Sequence, residues 1–204
     1  MIYITQNFND IFGDKRWYHR RLFLAGVATT LAYSPLSAFA HEKKSKQFVL
    51  AKKFEPQTDR FNGYKSGTIV VDPANHYLYL VLPNGKARRY GVGVGKAGLT
   101  FKGAATIARK AKWPSWTPTQ NMIRREPGKY AKYAGGVPGG PGNPLGARAL
   151  YLYRNNKDTY FRIHGTTQPN SIGRSVSNGC IRMINDHVKD LYERVPTGTK
   201  VIVL

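Results

Sequence analysis

The one cysteine of this 204-residue chain, Cys180, sits in Ser177-Asn178-Gly179-Cys180, a polar turn that runs into the apolar Ile181. With no second cysteine there is no intramolecular disulfide, so the thiol has three readings: burial, intermolecular pairing, or use as a nucleophile. A glycine just before the sulfur lets the N–H groups of Asn178, Gly179 and Cys180 converge on one point, which is what an oxyanion requires, and it sets the sulfur at an exposed turn. A thiol with an ordinary pKa of about 8.5 is mostly protonated at neutral pH and needs an imidazole or another cation beside it. Of the five histidines, four follow residue 40. His76 opens a strand, His187 falls in the first turn of a helix where exposure is expected, and His41 lies far upstream. His164 ends the apolar run Tyr160-Phe161-Arg162-Ile163 and is followed by Gly165-Thr166-Thr167, and strand ends are where a rigid scaffold presents site residues. Cys180 with His164 is the chemistry of thiol acyl transfer or hydrolysis. A satisfied structural histidine is the competing reading.

The elements that must position this pair read as mainly β. Residues 68–72 are a β-branched run, and 76–82 (HYLYLVL) a second apolar run. Pro83-Asn84-Gly85-Lys86 then supplies an Asn-Gly turn that folds the chain back over 88–94 as a hairpin. Further strands are expected at 105–109, 148–153, 160–164 and 200–203, each bounded by turn residues. The pattern predicts one long helix over 185–195, with Val188, Leu191, Tyr192 and Val195 on one face, Asn185 as its cap and Pro196 as its stop.

Residues 112–148 form a long irregular insertion. It opens with Trp113-Pro114-Ser115-Trp116-Thr117-Pro118, has room for one short helix from Thr117-Pro118 through Arg125, and ends in a Gly-Pro-rich stretch. Insertions of this length are functional or disordered, and its aromatic residues favour an ordered lid or substrate wall, with Trp113, Trp116 and Tyr133 as lid candidates. Residues 41–67, rich in Lys, Gln and Gly, read as a basic arm leading into a domain of residues 68–204.

Residues 1–40 have the layout of an export signal: a basic segment at Lys15, Arg16, Arg20 and Arg21, an uncharged apolar stretch from Leu22 to Phe39, and Ala38-Phe39-Ala40 as a small-x-small cleavage site. Arg20-Arg21-Leu22-Phe23-Leu24 resembles a twin-arginine motif, with the general secretory route as the alternative. The stretch carries Gly26 and Pro35 and is short for a bilayer core of about 30 Å, so cleavage is expected rather than stable membrane insertion.

The whole chain carries 32 Lys+Arg against 11 Asp+Glu. Removal of residues 1–40 takes four basic and two acidic residues and leaves a formal +19. Such a charge favours polyanions. The sequence has no nucleic-acid-binding signature, so the anionic cell wall of an exported, periplasmic protein is the expected partner. One cysteine and scattered histidines give no metal-ligand spacing, and no cofactor is implied.

Together, Ile163-His164-Gly165-Thr166-Thr167, Ser171-Ile172-Gly173 and Ser177-Asn178-Gly179-Cys180-Ile181-Arg182-Met183 resemble the L,D-transpeptidase family, whose catalytic domain is also called YkuD, in its ErfK-like branch. Residues 67–73, 89–95, 112–118 and 143–150 look like the same branch, in the same order. The resemblance implies a β-sandwich, partly barrel-like, with Cys180 as nucleophile, His164 as general base and the Gly165 carbonyl orienting the histidine. Asn178, Gly179 and Cys180 would hold the oxyanion, with Ser177 and Arg182 beside them. Many members carry a histidine where this chain has Asn178.

The implied substrate is a peptidoglycan tetrapeptide stem, which loses its terminal D-alanine and leaves a thioester on its third residue. Arg182 suits a bidentate contact with a stem carboxylate. An amine then resolves the thioester: a stem amine gives a 3–3 cross-link, whereas an outer-membrane protein or lipoprotein amine gives a wall attachment. With water as acceptor the protein is an L,D-carboxypeptidase, and a non-catalytic peptidoglycan-binding protein is the remaining alternative.

Overall fold

The computed structural model describes residues 48–204; the export-signal reading of 1–40 and the first residues of the arm lie outside the described residues. Among those residues, no helix is long and apolar enough to cross a membrane.

Eleven strands account for most of the regular structure: β1 (Gln57–Arg60), β2 (Ile69–Asp72), β3 (Tyr77–Leu82), β4 (Lys86–Gly91), β5 (Val94–Gly95), β6 (Gly103–Lys112), β7 (Arg148–Arg154), β8 (Lys157–His164), β9 (Ser175–Ser177), β10 (Ile181–Arg182) and β11 (Lys200–Val203). Nine of them form one sheet in the order β1-β4-β3-β2-β11-β6-β7-β8-β10, and β5 pairs with β9 separately. The expected hairpin is present: β3 and β4 pair antiparallel from Tyr77↔Gly91 to Leu82↔Lys86. Asn84 and Gly85 turn it, at φ 58 and 64, the conformation for which an Asn-Gly pair is suited. His76 does not open β3, because it sits in the preceding turn at φ 59.

Alternation builds the core. Ile69, Val71, Leu78, Leu80, Ile107, Leu150, Leu152, Ile163, Val201 and Val203 are buried together and covered by Val188 and Leu191 of α3 (Asn185–Arg194). Lys110 fastens the end of α3 by donating to the carbonyls of Tyr192 (2.6 Å) and Val195 (2.7 Å), a cation where the helix leaves orphan acceptors.

Three further expectations change. The 41–67 arm contributes β1, which pairs antiparallel with β4; its polar alternation hides a strand because it lies at the sheet edge with little to bury. Asn185 does not cap α3: its Oδ1 instead accepts from the Ala147 N–H at 3.0 Å, tying the helix start to the end of the insertion. His187, expected to be exposed, is buried and meets Glu55 at 3.5 Å, because the segment before β1 covers the first turn of α3.

Candidate active site

β8 and β10 run parallel with Ile181 beside Ile163 and Arg182 beside His164. Since side chains alternate along a strand, the two isoleucines go to the core, at 0% and 2% exposure, while Arg162, His164, Cys180 and Arg182 line one cleft on the other face. One period-two register thus supplies both the core anchor and the reactive groups.

His164 is buried, and its Nδ1 lies 2.5 Å from the Gly165 carbonyl oxygen. A carbonyl only accepts, so Nδ1 carries the proton and Nε2 is left as a lone-pair acceptor. Burial pushes the imidazole pKa down to about 4, and the Arg182 charge adds to this; the Gly165 and Leu145 carbonyls pull partly the other way. Cys180 is half-buried. Burial pushes its thiol pKa up, opposed by a backbone hydrogen bond from Arg162 and by the Arg162 and Arg182 charges. At neutral pH the pair is therefore an uncharged thiol with an uncharged imidazole.

The turn before the sulfur is held by Ser177, whose buried hydroxyl donates to the Cys180 carbonyl (2.6 Å) and accepts from the Gly179 N–H (3.1 Å). Gly179 stands at φ +119, and a Cβ there would strike the Phe161 ring and lie 2.5 Å from the Leu99 carbonyl oxygen. The position requires glycine on both counts. Gly165 has an ordinary φ but no room, because a Cβ would meet Asn185 Oδ1 and lie 3.0 Å from the Ala147 nitrogen.

The cleft has a volume of about 1300 Å³, above the usual range for small-molecule sites. Among the described residues six cations line it, Arg109, Arg125, Lys129, Lys132, Arg162 and Arg182, and no carboxylate does. Arg162 is bidentate to Asp158 at 2.7 and 2.8 Å, so its charge is matched. Arg182 instead donates to the neutral Gln168 amide at 3.1 Å.

Within the insertion, α1 (Gln120–Arg125) starts later than expected because Thr119 caps it, accepting from the Met122 N–H. A second short helix, α2 (Pro127–Tyr130), follows. Trp116 and Tyr133 line the cleft and meet edge-on at 5.9 Å. Trp113 does not line it: its N–H closes the base of the insertion on the Ala147 carbonyl, and its side chain is exposed.

Several cleft residues escaped the sequence reading. Arg162 was readable from its two-residue offset from His164. Tyr160 was not: it stands at φ 60 where the β7–β8 register shifts, and its carbonyl lies 3.8 Å from Cys180 Sγ. Arg125 and Tyr130 reach the site only through the folding of the insertion.

A mainly β domain that brings a thiol and a buried imidazole to one cationic cleft has the layout of a cysteine-dependent acyl-transfer or hydrolase site. The family model of the L,D-transpeptidase catalytic domain, YkuD, matches residues 66–203, and the chain belongs to this family. Over 139 residues it is 37% identical to the probable L,D-transpeptidase ErfK/SrfK of Escherichia coli, covering 67% of this chain and 43% of that one; the chain thus spans less than half of that relative. A Brucella melitensis crystal structure described as a probable carnitine operon oxidoreductase is 59% identical, covering 76% of this chain and 96% of that one, with a TM-score of 0.53. That description belongs to the Brucella protein; the family assignment rests on the match over 66–203. An Enterococcus faecium L,D-transpeptidase structure shares the fold at 18% identity, with a TM-score of 0.52 over 69% of this chain and 50% of that one.

Proposed function

We propose that the protein is an exported, periplasmic peptidoglycan L,D-transpeptidase in which Cys180 is the nucleophile and His164 the general base. The observation that carries this reading is the 2.5 Å contact of His164 Nδ1 with the Gly165 carbonyl oxygen in the cleft that also holds Cys180: with the proton assigned to Nδ1, Nε2 is the nitrogen left to take the thiol proton. The sulfur attacks the carbonyl of the third stem residue as that proton moves to Nε2. The tetrahedral oxyanion is met by the Asn178 and Cys180 N–H groups, since the Gly179 N–H is engaged by Ser177. Collapse breaks the peptide bond, His164 returns its proton to the departing D-alanine nitrogen, and a thioester remains on Cys180. An acceptor amine then gives a proton to His164 and attacks the thioester, which restores the thiol and releases the amide.

A stem peptide carries several carboxylates, and a cleft lined among the described residues by six cations, of which Arg162 is paired with Asp158 and Lys129 with Glu126, attracts such a donor. Arg182, free of a carboxylate partner, is the proposed contact for one of them. The acceptor is a stem amine, or an amine of an outer-membrane protein or lipoprotein.

Intact-protein mass spectrometry with a disaccharide-tetrapeptide tests the proposal. Wild type is expected to show a thioester adduct and to release D-alanine, and Cys180→Ala to do neither. Binding without an adduct or D-alanine release would overturn the enzymatic reading in favour of a wall-binding protein. An adduct resolved only by water makes the protein a carboxypeptidase.

A further inference from the structure

The turn that carries Cys180 touches the insertion through the side chain of Asn178. Asn178 Nδ2 donates to the Tyr130 hydroxyl at 2.6 Å, and the Arg125 guanidinium donates to Asn178 Oδ1 at 2.9 Å. One amide thereby binds both short helices, Arg125 closing α1 and Tyr130 closing α2. It satisfies a donor and an acceptor at once, through Oδ1 and Nδ2 of a single side chain.

Little else holds these helices. α1 buries no residue and α2 only Tyr130, and helices of six and four residues do not persist without tertiary support. The Tyr130 ring packs edge-on against Trp116 at 6.3 Å, so the tyrosine links the amide to the aromatic part of the wall. The wall and the turn that follows it also carry Arg125, Lys129, which pairs with Glu126 at 3.4 Å, and Lys132, half of the cations that line the cleft.

We propose that Asn178 is a positioning residue that clasps the α1–α2 wall to the nucleophile turn, and that the clasped wall selects for a long, carboxylate-rich acyl donor. The second part rests on the function proposed above; the first does not. A small electrophile reaches Cys180 without the wall, whereas an extended anionic donor needs its cations in place. Loss of the clasp therefore weakens binding of the long donor and leaves the intrinsic reactivity of the thiol as it was.

The test uses the full chain as wild type, Asn178→Ala, Tyr130→Phe and the double variant. Three quantities are measured: KM and kcat for D-alanine release from a disaccharide-tetrapeptide, the rate of Cys180 alkylation by iodoacetamide, and amide hydrogen exchange over residues 119–133. Asn178→Ala is expected to raise KM about tenfold, the worth of a hydrogen-bonded clasp, with alkylation within about twofold of wild type on the same scale and faster exchange over 119–133. Tyr130→Phe is expected to do the same more weakly, and the double variant to be no worse than Asn178→Ala, since both remove one link.

Unchanged exchange in Asn178→Ala overturns the clasp. Slower alkylation with unchanged KM overturns it too, by placing the side chain at the nucleophile instead of the wall. If wild type releases no D-alanine while exchange still accelerates in the variants, the clasp stands and the assigned donor falls.

Discussion

On one side of the cleft, His164 ends β8 and Cys180 stands just before β10, and the Ile163 and Ile181 of these strands are buried in the sheet's core; on the other side, α1 and α2 together bury a single tyrosine. The reactive side is fixed by strand pairing and apolar burial, so its geometry carries the stability of the whole domain. The facing side is fixed by a few polar and aromatic contacts, so it changes shape at little cost to the fold. On the function proposed above, the rigid half carries the chemistry and the adjustable half selects the substrate. Substitutions in the first half should lower kcat or stability, and substitutions in the second should act on KM.

The largest effect should come from the reactive pair. A carbapenem should add to wild type by acylation of Cys180 through its β-lactam carbonyl, Cys180→Ala should give no mass adduct, and His164→Ala should slow acylation by about 10²–10⁴-fold, the contribution of a positioned general base. The pH profile sharpens this. Because burial holds the His164 pKa down at about 4, the base stays unprotonated throughout the neutral range. Acylation should be level between about pH 5 and 8 and fall only as the imidazole protonates below that. A limb centred near the ordinary histidine value of about 6.5 would show a solvated imidazole and contradict the rigid, buried half.

Next in size is Gly165→Ala. The added Cβ meets Asn185 Oδ1 and the Ala147 nitrogen, and relief requires moving the carbonyl that orients His164 or the end of the insertion. Overpacking of this kind costs about 1–3 kcal/mol, and a displaced base costs about tenfold to a hundredfold in kcat/KM. Thermal unfolding alongside stem kinetics checks both. A loss of stability with kcat/KM intact would mean that Asn185 yields and the Gly165 carbonyl does not position the imidazole.

How much of this was legible in the sequence follows the same division. The β-branched and apolar runs of β2, β3, β7 and β11 and the Asn84-Gly85 turn are local signals, and Cys180 with His164 stood out by residue type and setting. β1 did not, because an edge strand of Gln57-Thr58-Asp59-Arg60 has no apolar face to betray it. Asn185 read as a helix cap by type, but the Ala147 N–H, 38 positions away, claims its oxygen. His187 read as exposed by position, yet the segment around Glu55 covers it. The Asn178, Arg125 and Tyr130 contacts depend on how an irregular loop closes, for which periodicity carries no signal.

A smaller effect, confined to stability, should come from Asp190 on α3, outside the cleft. Partial burial raises its pKa, but hydrogen bonds from Arg194, Tyr90 and Arg88 outweigh this and hold the carboxyl at about 2. A carboxylate with a depressed folded pKa stabilises above its unfolded value near 4 and loses that contribution as pH falls toward the folded one. Asp190→Asn should therefore cost about 1–2 kcal/mol at pH 7, after allowance for its partial exposure, and the gap to wild type should close between about pH 4 and 2. Denaturant unfolding at pH 7 and pH 3 measures this. Donor kinetics should not change, because α3 supports the sheet behind the reactive strands.

The smallest effect should separate two aromatic residues of the insertion that look alike in the sequence. Tyr133 lines the cleft edge-on to Trp116, whereas Trp113 lies at the insertion's base with its ring turned to solvent. An aromatic edge pair is worth about 0.5–1.5 kcal/mol, so Tyr133→Ala should lower the unfolding midpoint by about 1–6 °C and, by loosening the cleft wall, raise the stem KM about two- to fivefold with kcat unchanged. Trp113→Ala removes no cleft contact and keeps the N–H that bonds to Ala147, so its KM should match that of wild type. Equal KM increases in the two variants would mean that the donor runs beyond the cleft to the base of the insertion, and the adjustable half would then extend across the whole of 113–147 instead of ending at the aromatic cluster.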